Sequence, residues 1–361
     1  MHFEENVPLA PLTTLRIGGA ARFFFRAHSE ADLLAAVEQA RSRQLPVFFL
    51  GGGSNLVVPD SGFRGLVIQV ALRGPLQAEA SPEDDRAVRY TVPAGEGWEA
   101  FVDFACAAGL AGVECLAGIP GLVGGSPIQN IGAYGQEVSQ TVFAVRVLDL
   151  ETLQFTVLSR EQCAFAYRTS VFNSTGRGRY VVTRVTFRFD RDAKPVLNYP
   201  ELRQHFAGSH SPTPSQVAAT VRTIRGAKGM YLDPTNPSPD HRSAGSFFKN
   251  PIVPLATLDH IAQTLGIPAA TVPHWPVPSQ RDSSGNIKLS AAWLIERAGF
   301  PKGFVPTPES PVGISSRHTL ALINRTGFAT CADLLGLRDR IIRTVSDRFG
   351  VTLEQEPVML A

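Results

Sequence analysis

Charge of either sign is nearly absent as a net quantity. Lys and Arg number 34, Asp and Glu 32, leaving +2 over 361 residues. That balance offers no field for nucleic acid or an anionic membrane. Long apolar runs are missing too. No window approaches the roughly 18 uninterrupted apolar residues of a spanning helix, so no membrane insertion is expected. The opening MHFEENVPLAPLTTL has no basic segment followed by an apolar core, which argues against a signal peptide. Cysteine is scarce. Cys106, Cys115, Cys163 and Cys331 form no C-x-x-C pair, which argues against a zinc site or redox dithiol and suits a reducing cytoplasm. The histidines are scattered with no H-x-x-x-H pattern, so no metal site is expected.

What the chain does have is glycine, concentrated in one place. The stretch Gly118–Gly135, GIPGLVGGSPIQNIGAYG, holds six glycines and no charged residue. Interior glycines cost a helix about 1 kcal/mol each and weaken a strand. Yet Ile119, Leu122, Val123, Ile128 and Ile131 make it too apolar for a solvated linker. It reads as buried, irregular backbone wrapping a flat or phosphorylated ligand with main-chain N–H groups, or as an unusual core loop.

The chain is long enough for two or three domains. Arg22–Ala27 reads as a strand, and Ser29-x-x-Asp32 as a capping box opening an amphipathic helix to about Arg43. Pro46–Leu50 reads as a second strand buried on both faces, completing a βαβ unit. Gly51-Gly52-Gly53-Ser54-Asn55 follows, either a phosphate-approaching loop or a plain tight turn. Leu66–Val70 and Arg86–Val92 read as strands. Gly97–Ala108 reads as a helix with Trp98, Phe101, Val102 and Ala105 on its core face. Beyond the glycine stretch, Val142–Asp149 and Gln154–Leu158 read as a hairpin, and Tyr180–Phe189 as a long alternating strand. From Pro212 the composition changes. Helices are expected over Ser215–Ile224, Pro254–Leu265 and Ala291–Arg297, with residues 229–243 as a turn-filled surface excursion. Thr319–Ile323 reads as a strand, and Thr330-x-x-Asp333 caps a last helix to Phe349.

Several residues carry possible chemistry. Ser246 stands between a glycine and two phenylalanines, where a partly desolvated hydroxyl could donate a proton or attack; Gly-Ser-Phe is equally common in turns. Arg168, in FAYRTS at an expected strand end, is either a surface ion-pair partner or an anion-binding guanidinium. Glu354 and Glu356 share one face of an expected terminal strand, as solvated charge or as a carboxylate carried into a site. Lys228 closes a helix, where a cation is expected on dipole grounds alone. Lys249 and Asn250 flank the turn of Ser246. Tyr134 and Tyr199 sit beside Gly or Pro, where a phenol could meet a ligand.

Seven segments in order, TTLRIGG (13–19), GGGSN (51–55), GIPGLVGGSPIQNIGAYG (118–135), YRTS (167–170), SAGSFFKNP (243–251), KLSAAWLIE (288–296) and LEQE (353–356), closely resemble the UDP-N-acetylenolpyruvoylglucosamine reductase family. The resemblance implies an α+β fold: a two-subdomain FAD-binding module of the vanillyl-alcohol-oxidase (PCMH) type over residues 1–70 and 71–211, and a substrate-binding C-terminal α+β domain over 212–361. It implies NADPH-dependent reduction, through FAD, of the enolpyruvyl group of UDP-N-acetylglucosamine enolpyruvate in peptidoglycan synthesis. The enzyme would be cytoplasmic and monomeric, with no nucleic-acid partner. Position by position it implies Ser246 as proton donor and Arg168 and Glu356 as stabilisers of the enol. It implies Gly51, Gly52, Gly53, Ser54, Asn55, Gly118, Ile119, Pro120, Gly124, Gly125, Ser126, Gly132, Ala133 and Tyr134 around FAD. Tyr134, Tyr199, Lys228 and Asn250 would meet the UDP-sugar, with Tyr199 in LNYPEL on a mobile loop. His318 stands where some relatives have glutamine. Another FAD oxidoreductase on the same scaffold, or a non-catalytic UDP-sugar-binding protein, would share part of this pattern; the joint presence of Arg168, Ser246 and Glu356 speaks against the last.

Overall fold

The computed structural model describes residues 1–81, 84–208, 211–233, 235–277 and 285–361. The chain divides into two compact units. One comprises Met1–Val7, Ala21–Gly53 and Arg64–Ala227; the other comprises Pro8–Ala20, Ser54–Phe63 and Lys228–Ala361.

The first unit carries two sheets. In the four-stranded sheet the order is Glu4–Pro8, Ala20–Ala27, Phe63–Val70, Val47–Leu50. The expected helix spans Glu30–Ser42, and Ser29 and Asp32 form the capping box in both directions. The two strands flanking it are not neighbours. Phe63–Val70 lies between them and pairs in parallel with Val47–Leu50, Val47 opposite Leu66. The reason is burial: Phe63–Val70 is apolar on both faces and takes a central place, whereas Val47, Phe48 and Phe49 are only half-buried on an edge. The expectation of a doubly buried strand at 46–50 is corrected accordingly.

The second sheet is antiparallel, in the order Gln154–Ser159, Val142–Asp149, Tyr180–Asp190, Asp84–Pro93, Gln77–Ser81. Alternation along Tyr180–Asp190 sends Val185, Phe187 and Phe189 inward. There Phe187 meets Phe101 of the helix Trp98–Ala107 with ring centroids 4.4 Å apart. The helix Pro214–Ala227, expected with the C-terminal domain, packs on Trp98–Ala107 within this unit. Its buried Val217, Ala218 and Val221 belong to the same core.

Glu30, at the start of the first helix, ties that helix to the antiparallel sheet. Arg146 donates to it twice, at 2.9 and 3.0 Å, and Thr183 once at 2.8 Å. Burial alone would raise this carboxyl. The hydrogen bonds from Arg146 and Thr183, with the charges of Arg146 and Arg184, outweigh it and hold Glu30 below its ordinary value. A depressed folded-state value stabilises the fold above the unfolded carboxylate range of about 4.3. That stability is lost as pH falls through the folded-state value. Glu30→Gln is therefore expected to lower stability at neutral pH by about 1.5–3 kcal/mol, the range for hydrogen bonds to charged groups. The gap to the wild type should narrow as acid protonates Glu30. Urea unfolding across a pH series checks this; a gap independent of pH would mean that the charge is immaterial.

The second unit is organised on the helix Cys331–Phe349. Thr330 and Asp333 cap it reciprocally, and Gly350, at φ 66°, closes it. Leu334, Leu337, Ile341, Val345 and Phe349 form its buried stripe, against which Thr257–Leu265 and Ala291–Arg297 pack. Small sheets complete the unit: Ile252–Pro254 and His274–Pro276 on either side of Asn286–Leu289, and the pair Val312–Ile314 with Leu322–Asn324. Leu56–Val57 pairs in parallel with Val358–Met359. The excursion 229–243 is not wholly superficial. Asp240 is buried and accepts from the Ser316 N–H at 3.0 Å and its hydroxyl at 2.7 Å. Residue 234 of that segment lies outside the described residues.

Candidate active site

In the first unit the two glycine-rich segments meet. A Cβ on Gly52 would lie 2.9 Å from the Gly121 Cα, and one on Gly124 2.6 Å from the Ala94 Cβ. The close backbone approach is what demands glycine here. By contrast, a Cβ on Gly51 or Gly125 would enter open space. Backbone packed on one side and open on the other leaves room for a flat group against its open side, so these residues fit FAD. Gly52→Ala is expected to lower FAD affinity at least tenfold, because backbone atoms cannot yield as a flexible side chain would. Fluorescence titration of the apoprotein with FAD checks this; unchanged affinity would remove this contact from the cradle.

The stretch itself is irregular, as its composition demands. It contains a 3-10 turn at Val123–Gly125 and a two-residue strand at Gly132–Ala133. Gly118 is gripped at both ends of its backbone. Its N–H donates to Glu99 at 2.6 Å, and its carbonyl accepts from Arg225 at 3.0 Å. Arg222 in turn bonds Glu99 at 2.5 Å. Burial pushes the Arg225 guanidinium down from its ordinary value, while Tyr134 and Glu99 push it back up, Tyr134 also by a hydrogen bond. Ile119 packs against the core, and Pro120 is half-buried. Ser126 is buried, its hydroxyl donating to the Val123 carbonyl at 2.8 Å.

Gly132–Ala133 pairs with Gln136–Glu137 around a turn whose central residues, Tyr134 and Gly135, have φ of 49° and 80°. Two left-handed residues are what a tight hairpin of this type needs. The turn presents the Tyr134 ring edge-on to Tyr199, centroids 5.1 Å apart. Arg168 was expected at a strand end; it occupies a tight turn instead. Ala166 and Thr169 exchange N–H···O bonds at 2.9 and 3.1 Å, and Arg168 lies between them at φ 52°. Its guanidinium donates to the Gly132 carbonyl at 2.8 Å. Arg168, Gly132, Tyr134, Tyr199, Arg225 and Gly118 thus form one constellation within the first unit.

Ser54 and Asn55 fold with the second unit, parting from Gly51–Gly53. The Asn55 carbonyl accepts the Val358 N–H at 2.9 Å, and its side-chain amide reaches the Glu356 carbonyl at 3.5 Å. Ser246 is half-buried in a segment held on both sides. Ser243 bridges Ile323, and the Phe247 N–H donates to the Leu320 carbonyl at 2.8 Å. On the other side the Glu356 N–H donates to the Phe247 carbonyl at 2.9 Å, and Phe248 bridges Gln355. Phe247 and Phe248 are buried anchors. Glu356 therefore adjoins the Ser246 segment, although no regular strand runs through 353–356. Glu354 faces solvent beside Lys249 at 3.5 Å, an exposed pair of little energetic weight. The Asn250 oxygen accepts the Ala291 N–H at 3.0 Å, at the first turn of Ala291–Arg297. Lys228 follows directly on the helix Pro214–Ala227.

Residues 21–152 match the family model of an FAD binding domain, and residues 236–360 match the C-terminal domain of UDP-N-acetylenolpyruvoylglucosamine reductase. The chain is 47% identical over 367 residues to the UDP-N-acetylenolpyruvoylglucosamine reductase of Thermobifida fusca, covering 99% of this chain and 98% of that one. The chain belongs to the UDP-N-acetylenolpyruvoylglucosamine reductase family. The Streptomyces coelicolor reductase is 43% identical, over 98% of this chain and 89% of its own. The crystal structure of the reductase from Thermus caldophilus superposes with a TM-score of 0.63 at 27% identity, over the full length of both. As a reductase of this family the chain is an FAD flavoprotein and an oxidoreductase. No helix among the described residues is long and apolar enough to cross a membrane.

The sequence gives no site role to Glu99 and Arg225, which hold the Gly118 backbone, to Arg222, which bonds Glu99, or to Asn130. Only Asn130 carried a signal, its place inside the motif SPIQNIGAYG.

Proposed function

We propose that this chain reduces the enolpyruvyl group of UDP-N-acetylglucosamine enolpyruvate with NADPH, giving UDP-N-acetylmuramate for peptidoglycan synthesis. Near-full-length identity to the reductases carries the reading. Bound FAD supplies the hydride transfer. The protein supplies orientation and field. Hydride delivered to C3 of the enolpyruvyl group builds negative charge at C2 that spreads into the carboxylate. Arg168, held in its turn by the Gly132 carbonyl, meets that charge with a fixed cation. Ser246 gives its proton to C2, and Glu356, on the segment beside that of Ser246, has the role of stabilising the enol, as Arg168 does. The UDP-sugar-binding roles fall to Tyr134 and Tyr199 in the first unit and to Lys228 and Asn250 in the second. Four buried cysteines suit a reducing cytoplasm. Burial lifts the thiols of Cys106, Cys115 and Cys163 to about 12 and that of Cys331 to about 11.

The test is an anaerobic titration of the yellow protein, first with NADPH and then with UDP-N-acetylglucosamine enolpyruvate. Bleaching followed by recovery of colour supports the reading. Bleaching without recovery keeps the flavin reductase and discards the substrate.

A further inference from the structure

Asn130 is fully buried at the middle of the glycine-rich stretch, and its backbone is left-handed at φ 45°. Asparagine tolerates that conformation better than most residues. Each end of its amide has a partner that fits only one orientation. The Ser139 N–H, which can only donate, lies 3.1 Å from the oxygen. The Glu137 carboxylate at 2.8 Å and the Ala166 carbonyl at 3.0 Å accept from the nitrogen. The Ala166 carbonyl also receives the Thr169 N–H. Ala166 opens the turn in which Arg168 sits.

Asn130 is the middle of a stitch of three. Alternate residues of the stretch each bond the Arg168 turn. The Ile128 carbonyl accepts the Ser170 hydroxyl at 2.6 Å, the Asn130 amide donates to Ala166 at 3.0 Å, and the Gly132 carbonyl accepts the Arg168 guanidinium at 2.8 Å. Asn173 holds the far side of the turn through the Arg168 carbonyl at 3.1 Å. The Asn130 amide makes three bonds in all, to Ser139, Glu137 and Ala166, from a side chain shut off from water. Buried networks of that kind have one low-energy arrangement, since each unmet group is costly.

We infer that Asn130 is a positioning residue for the reaction: it fixes the turn at Ala166 and thereby aims the Arg168 guanidinium, coupling the glycine-rich stretch to the arginine that meets the substrate carboxylate. This rests on the role proposed above for Arg168. Asn130 does not touch substrate, and its effect runs through the turn.

Three variants test it in the holoenzyme. Asn130→Gly keeps the left-handed backbone and removes all three side-chain bonds. Asn130→Ala removes the bonds and strains the backbone as well. Asn130→Asp keeps the shape but puts an acceptor against the Glu137 and Ala166 oxygens. A misplacement near 1 Å can cost about a hundredfold, so flavin reoxidation by the enolpyruvyl substrate is expected to slow by about 10–100-fold in all three. Bleaching by NADPH and the affinity for FAD should stay at wild-type values. In the Asn130→Gly background, Arg168→Lys should cost much less than it does alone, because the two changes damage one device. If glycine restores the wild-type rate, the backbone alone matters and the inference fails. If both half-reactions slow together, or the two losses add, it also fails. A readout independent of substrate is amide hydrogen exchange at 166–169, which should quicken in Asn130→Gly. Unchanged exchange overturns the stitch whatever the enzyme reduces. Failure of the wild type itself to be reoxidised would instead overturn the proposed substrate, leaving the exchange result to decide the stitch.

Discussion

Ser246→Ala leaves bleaching of the flavin by NADPH intact and slows its reoxidation by the enolpyruvyl substrate by about 10²–10⁴-fold, the usual contribution of a positioned proton donor. The argument is local. The Ser246 segment is held by its neighbours on both sides, through Phe247 to Leu320 and Glu356. None of those bonds uses the serine hydroxyl, so the fold should not register its loss. Serines elsewhere show the contrast: the Ser126 hydroxyl is committed to Val123 and that of Ser170 to Ile128. A hydroxyl is a weak acid, so its proton transfer depends on how the site receives the alkoxide. Stopped-flow absorbance on each half-reaction separates the outcomes. Equal slowing of both would sink the assignment, since proton donation to C2 belongs only to the second.

The second large effect is expected at Arg168. Arg168→Lys keeps the charge and loses the fork. A guanidinium can bond the Gly132 carbonyl with one nitrogen while another faces an anion; an ammonium is a single point charge on a flexible stem. Removing one preorganised donor from a developing negative charge typically costs about 10²–10³-fold. The loss should fall on kcat and kcat/KM together, since the charge is greatest in the transition state. A raised KM with unchanged kcat would make Arg168 a binding group for the ground-state carboxylate. Single-turnover reoxidation over a range of substrate concentrations distinguishes the two. The left-handed backbone at Arg168 adds a second check. Lysine at the same φ bears the same strain, so a large fall in melting temperature would point to turn integrity rather than charge geometry.

Much of the architecture was legible because it is set within a few residues of chain. Ser29 with Asp32, and Thr330 with Asp333, mark helix starts by reciprocal bonds three residues apart. The alternation from Tyr180 to Phe189 places Val185 and Phe187 in the core without reference to anything distant. The glycine stretch could be neither helix nor ordinary strand, and it is neither. Motif order along the chain pointed to the family to which the chain belongs.

What the chain alone could not express depends on partners far away in sequence. The segments Pro8–Ala20 and Ser54–Phe63 join the C-terminal residues in one unit. Asn324 takes up the carbonyls of Leu15 and Arg16, 309 and 308 residues away, and Asp60 accepts the first N–H groups of the helix Cys331–Phe349. No local periodicity announces such bonds. The same holds for Arg168. Read along the chain, FAYRTS is a small apolar segment; the carbonyls of Gly132 and Ile128 and the amide of Asn130, some forty residues earlier, are what bond its turn and the Arg168 guanidinium. Short-range hydrogen bonding and burial periodicity are written in the order of residues. Which distant polar groups satisfy one another once water is excluded is decided only when the chain has packed.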